Sequence, residues 1–341
     1  MTVRIGFVGA GSRSIYEMVQ LLQLPDVAIT GICDIAPEAI ERARQAVKQR
    51  GPADLPPLDA PAFGDVQAML EQAPLDAVYV SLPPFAHGPA EHAVIDAGKA
   101  LMVEKPVALQ MGVAREIAAH AKERGVLAAV AYQWRYSPAV QQVRQLLAGV
   151  PIGMVTAVRW SSLPGSPWWR VQSKSGGMLI EQHTHCTDLL RYLCGEVTEV
   201  YAMAATTLLK DVPNLDIADV NTVSLRLASG AVGTISNSCA AVAAPPGFHS
   251  YVYIIAQGMT VAVGLGPGAT VLRGRDAREE IAEEGNPNMA MNRAFVAAVA
   301  SGDRSGILCP YEEGMRTFAL TYAAHISATE HRLVRMSEQL P

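Results

Sequence analysis

Three short stretches of this chain combine reactive side chains with a backbone that could aim them. Glu104-Lys105-Pro106 follows directly on the apolar run Ala100-Leu101-Met102-Val103. Folding does not require a charged pair there. A lysine at the end of a buried strand can donate to a substrate oxygen and steady charge developing on it, although many lysines simply end a strand in solvent. The second stretch is Gly176-Gly177-Met178-Leu179-Ile180-Glu181-Gln182-His183-Thr184-His185-Cys186-Thr187-Asp188. Read as part of one helix from about Gly177 to Cys194, it puts Glu181, His185 and Asp188 on a single face, at i, i+4 and i+7. Three ionisable groups on an otherwise apolar helix are costly to bury unless they are paired or used. A histidine among them suits proton transfer near neutral pH. A metal site built from Glu181, His183 and His185 is disfavoured, because the two histidines would diverge on a helix; no metal is expected.

The third stretch is Gly9-Ala10-Gly11-Ser12-Arg13-Ser14, lying between a strand-like and a helix-like segment. Gly9 permits a tight turn, and Gly11 lets the backbone approach a pyrophosphate at a helix N-terminus. Ser14 stands where the third glycine of G-x-G-x-x-G would be. The motif alone is weak, but Asp34 ends the next strand, where an acid binds ribose hydroxyls. A carboxylate there repels a 2′-phosphate, which favours NAD over NADP; Arg13 could still accept that phosphate and leaves NADP open. Ser81-Leu82-Pro83-Pro84 closes a later strand at the end where ligands bind. The candidate cofactor contacts are therefore Gly9, Gly11, Ser12, Arg13, Asp34, Ser81, Pro83, His87 and Glu104.

The elements that must hold these groups follow from the pattern. Val3 to Val8, Val27 to Cys33, Ala77 to Ser81, Ala100 to Glu104 and Leu127 to Ala131 read as strands, with helical stretches at Ile15 to Leu24, Pro37 to Gln49, His87 to Ala97 and Ala114 to Arg124. Alternating strands and helices give a doubly wound parallel sheet, and its nearly all-apolar strands fit burial on both faces. Beyond about residue 132 the texture changes. After a helix at Pro138 to Leu147 come β-like runs at Gly153 to Trp160, Val197 to Ala205, Asp219 to Leu227, Ala231 to Asn237, Tyr251 to Gln257 and Thr260 to Val263. Few helices separate them, so this part reads as an α+β domain on a mostly antiparallel open sheet. Pro56-Pro57 and Pro245-Pro246-Gly247 read as loops, and the tail is helical again at Asn292 to Ala300 and Glu312 to His331. The expected division is an α/β dinucleotide-binding domain at 1–131 and a substrate and oligomerisation domain at 132–341.

Composition narrows the setting. A chain of 341 residues with 50% hydrophobic and 17% charged residues can bury large cores and is not disordered. A net charge of −5 speaks against a nucleic-acid partner. Five scattered cysteines with no C-x-x-C pair fit free thiols in a reducing cytoplasm. Neither a signal peptide nor a membrane-spanning run is expected.

Together these landmarks resemble the glucose–fructose oxidoreductase and inositol dehydrogenase (Gfo/Idh/MocA) family. In order they are Gly9-Ala10-Gly11, Asp34, Glu104-Lys105-Pro106, Arg135-Tyr136-Ser137-Pro138, Trp168-Trp169, Gly176-Gly177, Glu181 with His185 and Asp188, and Ser229-Gly230-Ala231. The resemblance covers the whole chain. It implies a Rossmann domain, a second domain on an open antiparallel sheet, and a C-terminal helix returning to the first, with substrate held between them over the nicotinamide. It gives Lys105 the reacting hydroxyl and His185 the acid/base role. Glu181 replaces the family's aspartate and His183 its small residue, the latter expected to reshape the pocket; Arg135, Trp168 and Trp169 are expected to line it. The bond before Pro106 is expected to be cis. The implied activity is NAD(P)-dependent oxidation or reduction of a hydroxyl or carbonyl carbon on a sugar, inositol or related polyol. The implied assembly is a homodimer or homotetramer formed through the sheet. An NAD-dependent glycosidase of the same family and a non-catalytic nucleotide sensor are the rival readings.

Overall fold

The computed structural model describes residues 2–243, 249–275 and 277–340; the turn expected at Pro245-Pro246-Gly247 lies outside them. The chain divides into two compact units. One runs to Gln133 and takes in Asn288–Met315; the other comprises Trp134–Pro287 and the chain from Arg316.

In the first unit the order is β1 (Val3–Val8), α1 (Ser12–Leu21), β2 (Val27–Cys33), α2 (Pro37–Arg50), β3 (Ala62–Phe63), α3 (Val66–Gln72), β4 (Ala77–Val80), α4 (Pro89–Asp96), β5 (Ala100–Val103), α5 (Met111–Glu123) and β6 (Ala128–Val130). The strands form one parallel sheet in the order β3-β2-β1-β4-β5-β6. That order reverses between β1 and β4, and the reversal leaves a crevice at the carboxyl ends of the strands. Local chemistry sets the helix starts. Pro37 opens α2 with Glu38 in its first turn and Lys48 and Arg50 in its last, matching the helix dipole. The Asp65 carboxylate caps α3 by accepting from the Ala68 amide. The segment 288–315 carries most of α10 (Pro287–Ser301), whose Asn292 accepts a hydrogen bond from the Tyr79 hydroxyl at 3.0 Å.

The second unit is built on α6 (Pro138–Leu147), β7 (Ile152–Trp160), α7 (Gln172–Ser175), α8 (Gly177–Glu181), α9 (Thr184–Cys194), β8 (Val197–Ala205), β9 (Val220–Leu227), β10 (Val232–Ser238), β11 (Tyr251–Ala256), β12 (Met259–Gly264), β13 (Gly268–Arg273), β14 (Ala277–Ile281), most of α11 (Tyr311–Glu330) and β15 (Val334–Arg335). Its nine strands lie in the order β14-β13-β12-β11-β7-β10-β9-β8-β15. Every pairing is antiparallel except that of β7 with β10. β9 alternates buried and exposed residues along its length, the mark of a sheet covered on one face. The covered face packs against α6, α8 and α9. The other face exposes Met154, Tyr201, Met203, Val232, Ile255 and Leu272.

A buried ion pair anchors α9 in this unit. Arg135 and Asp188 have side chains only 2% and 1% exposed. The guanidinium reaches the carboxylate from Nη2 at 2.7 Å and from Nε at 2.9 Å. The Thr317 hydroxyl donates to the same carboxylate at 2.8 Å, and the Arg135 cation lies 4.8 Å from the Tyr192 ring centre. A second carboxylate, Asp219, orders the chain leaving β8 by accepting from the amides of Thr207, Leu208 and Leu209. Burial by itself would raise the Asp219 pKa; the three amide donors outweigh it and hold the carboxyl below its usual value.

Two outcomes are expected. Arg135→Met strands a buried carboxylate and should lower the unfolding free energy in urea by about 3–5 kcal/mol. Asp219 stabilises the fold above the ordinary carboxylate pKa, and that contribution is lost as pH falls through its lowered folded value. Asp219→Asn should therefore cost about 1–3 kcal/mol at neutral pH. The deficit against wild type should shrink below about pH 4, as followed by thermal melts across pH.

Candidate functional site

The glycine turn of the first unit is built to leave backbone amides available. Gly9 adopts φ +92°, and its amide donates to the Cys33 carbonyl at 2.8 Å, tying the turn to the end of β2. A Cβ added at Gly9 would collide with the Ser81 carbonyl. Gly11 is the N-cap of α1 with no side-chain cap, and a Cβ added there would meet nothing within 4 Å. The first turn of α1 holds no acid. An uncapped helix start beside open space is an anion site. Ser12 stands exposed at the start of the helix, while Ser14 is fully buried, as close packing at the third glycine position requires.

Asp34 completes this half. Its carboxylate accepts from the Ala10 amide at 2.8 Å and the Ala36 amide at 2.9 Å. A carboxylate offers roughly four acceptor sites, so capacity remains for a pair of ribose hydroxyls. Ile35, next in sequence, is 94% exposed and brings no charge. These residues fit a dinucleotide, with α1 receiving the pyrophosphate and Asp34 the ribose.

Arg13 departs from the sequence expectation. It pairs with Glu17 at 2.7 Å and with Glu104 at 3.2 Å, and donates to Asn288 at 2.7 Å. The guanidinium is thus shared between two carboxylates and an amide oxygen. Glu104, 9% exposed, gives a carboxylate oxygen to that clamp. Lys105 follows it, half-buried, and the Lys105–Pro106 peptide is cis. Ser81 and Pro83 are half-buried after β4. His87 is corrected: its imidazole is wholly enclosed and hydrogen-bonded to Glu91, so the side chain meets no ligand surface. Glu17, Asn288 and Asn292 were not legible as site residues. Glu17 reads as one more polar residue of a surface helix, and the two asparagines lie far away in sequence; Asn292 in turn bonds Glu17 at 2.6 Å.

In the second unit the expected single helix is two. α8 ends at Glu181, and the amides of both Gln182 and His183 converge on the Met178 carbonyl before α9 begins at Thr184. The i, i+4, i+7 face therefore does not exist. Asp188 is consumed by Arg135 and Thr317 in the core, whereas His185 is half-buried on the first turn of α9. Arg135 is likewise an anchor and not a pocket wall. His183, expected to reshape the pocket, is fully buried, and its Nδ1 meets the Thr187 hydroxyl at 3.0 Å. Burial, aided by the nearby Arg159 cation, pushes His183 down to about 3, so it is neutral at ordinary pH. No histidine, cysteine and carboxylate cluster among the described residues could hold a metal.

Glu181 is 5% exposed and is held by a chain of contacts that sequence spacing did not reveal. Gln182 donates to Glu181 at 2.9 Å, and Arg159 donates to the Gln182 carbonyl oxygen at 2.5 Å. The signal was present, since Arg159 is a cation at an inward position of an otherwise apolar strand. Trp168 and Trp169 lie with ring centres 5.0 Å apart. Trp169 packs on the small core of Met178, Ile217 and Cys239, so its ring is structural; Trp168 remains half-buried at the rim.

The chain is similar to known proteins over its length. Residues 3–132 match an oxidoreductase family with an NAD-binding Rossmann fold, and residues 140–256 match the GFO/IDH/MocA C-terminal domain. A myo-inositol 2-dehydrogenase from Thermotoga maritima is 25% identical over 353 residues, covering 98% of this chain and 99% of that protein. A levoglucosan dehydrogenase from Pseudarthrobacter phenanthrenivorans is 25% identical over 67% of this chain and 64% of its own length. An oxidoreductase from Agrobacterium radiobacter, solved with NAD+, L-tartaric acid and magnesium, superposes with a TM-score of 0.85 at 16% identity over 99% of both chains. The uncapped glycine turn, the acid ending β2, the lysine after β5 and the histidine opening α9 thus fall within matched sequence, and the chain belongs to the GFO/IDH/MocA family of NAD-binding oxidoreductases.

Proposed function

We propose that this enzyme oxidises a secondary hydroxyl of a sugar, inositol or related polyol with NAD, or runs the reverse reduction. The observation that carries the reading is the uncapped start of α1 beside Gly11, with Asp34 tied to the same turn. The neutral Ile35 after Asp34 and the commitment of Arg13 to Glu17 and Glu104 favour NAD over NADP. Inositol and levoglucosan dehydrogenases among the relatives support the substrate class.

The chemistry that a bound nicotinamide supplies is the uptake or return of a hydride. The rest falls to this chain's side chains. Lys105 donates to the reacting oxygen and steadies its charge. His185 takes the hydroxyl proton in oxidation and returns it in reduction. Glu181, fixed by Gln182, positions a neighbouring hydroxyl or the imidazole. Ser12, Ser81 and Pro83 complete the cofactor surface. Five buried cysteines, none in a disulfide, suit the reducing cytoplasm. The exposed apolar face around Met154, Met203 and Ile255 suits pairing with a second copy of the chain.

Three tests follow. Lys105→Ala and His185→Ala should each lower kcat at least about a hundredfold on the best polyol, read as NADH absorbance; full turnover in either variant removes its assignment. Gly9→Ala should weaken NAD binding at least about tenfold, measured by fluorescence quenching, because the turn must open to clear Ser81. A net yield of NADH in step with substrate consumed separates this reading from a glycosidase that regenerates its cofactor. Met203→Asp with Ile255→Asp should turn a dimer into a monomer in light scattering; an unchanged mass rejects the sheet face as the interface.

A further inference from the structure

The inner face of the nine-stranded sheet is apolar until its last rung. On β7, β10 and β9 the inward residues are Val155 and Ala157, Ile235, and Val223 and Leu225, all buried. The next inward positions are Arg159, Asn237 and Asn221, and they lie in one row: Asn237 is paired in register with Arg159 on one side and with Asn221 on the other. A polar row under the junction of α8 and α9 is a choice the sheet did not need for its own packing.

Asn237 is the unusual member. It is only 2% exposed, yet neither its Oδ1 nor its Nδ2 has a hydrogen-bond partner among the described residues. Arg159 beside it reaches the Ser250 hydroxyl and the Gln182 carbonyl oxygen through its terminal nitrogens, while its Nε has no partner. Buried amides and guanidinium nitrogens are almost always satisfied in folded proteins, and an exception marks a place completed by something else. The row is not isolated. Asn221 lines a cavity of about 490 Å3, together with the Gly176-Gly177 turn, Gln172 and His325. Through Gln182, Arg159 is joined to Glu181.

We propose that Asn237 is a specificity-determining residue that reads two adjacent hydroxyls of the substrate, with Arg159 donating to one of them. The chemistry selects this guest. An amide offers one acceptor and two donors, so one hydroxyl donates to Oδ1 while its neighbour accepts from Nδ2. A carboxylate could take Nδ2 but has no proton for Oδ1, so it would leave that acceptor unmet. Arg159 does a second task as a positioning residue, since it holds Gln182 and through it the Glu181 carboxylate. The inference deepens the polyol reading above and rests on it.

The test compares polyols with their deoxy analogues, each lacking one hydroxyl next to the reacting carbon, in wild type and in Asn237→Leu. Leucine matches asparagine in volume and removes the unpaired donor and acceptor, so the variant should fold with an unchanged or higher Tm. Wild type should prefer the parent polyol over the deoxy compound by at least about a hundredfold in kcat/KM, because a site built to bond a hydroxyl rejects its absence strongly. In Asn237→Leu the two should come within about threefold, chiefly through KM for the parent. Asn237→Asp, which keeps the acceptor and loses the donor, should fall between. Equal use of parent and deoxy compound by wild type overturns the proposal. So does a preference that survives in Asn237→Leu, which would mean the row holds a buried water only. Calorimetric titration of the same polyols into the NAD-loaded protein decides the point apart from turnover. If wild type oxidises none of them, the polyol reading falls. Binding weakened more than about tenfold in Asn237→Leu still supports the row as a diol reader, and binding that is equal, or absent in both proteins, overturns it.

Discussion

The first turn of α1 has no side chain to satisfy its amides, and much of the first unit is arranged around that vacancy of partners. Side chains cap some other helices, Asp65 for α3 and Ser137 for α6, while α2 and α5 also start without one. At α1 the cap position is Gly11 and the first turn carries no acid. The positive end of a helix dipole left open in this way attracts an anion. The turn cannot relax to cover it, because Gly9 is pressed against the Ser81 carbonyl and Ala10 is tied to Asp34. The same turn thus presents two kinds of group at once, donors for a pyrophosphate and a carboxylate for ribose.

Arg13 shows how that opening is kept selective. A cation on the first turn of the helix could have served the ligand, but Glu17 and Glu104 neutralise it in place. The guanidinium then acts as a strut between α1, the corner before Lys105 and Asn288. Charge that looks available in a sequence is assigned in the fold, and here the assignment favours NAD.

Much of the first unit was readable from the chain because its strands are short, apolar and separated by helices, so periodicity and burial coincide. β13 and β14 were not readable: β14 carries Arg278, Glu279 and Glu280 and sits at the sheet edge, where solvent on both sides removes the apolar alternation. The stretch from Gly177 to Cys194 was misread in geometry. Spacing alone treats 177–194 as one helix, but two amides converging on the Met178 carbonyl shift the register between Glu181 and His185. Arg135 looked like a pocket residue because nothing local reveals its partners, Asp188 and Thr317, which lie far along the chain. Local pattern reports periodicity; it does not report which distant group a buried charge has chosen.

The single parallel pairing in the second sheet has a further consequence. β7 and β10 run side by side at its centre, so the chain that leaves one must travel around before it enters the other. That excursion, residues 161–231, contains the tryptophan pair, both helices at the Glu181–His185 junction, and β8 and β9. It starts beside Ser238, at one end of the paired strands, and returns beside Met154, at the other. The alignment of β7 with β10 is set by their own backbone ladder, so it does not depend on the length of the segments that the excursion carries between them.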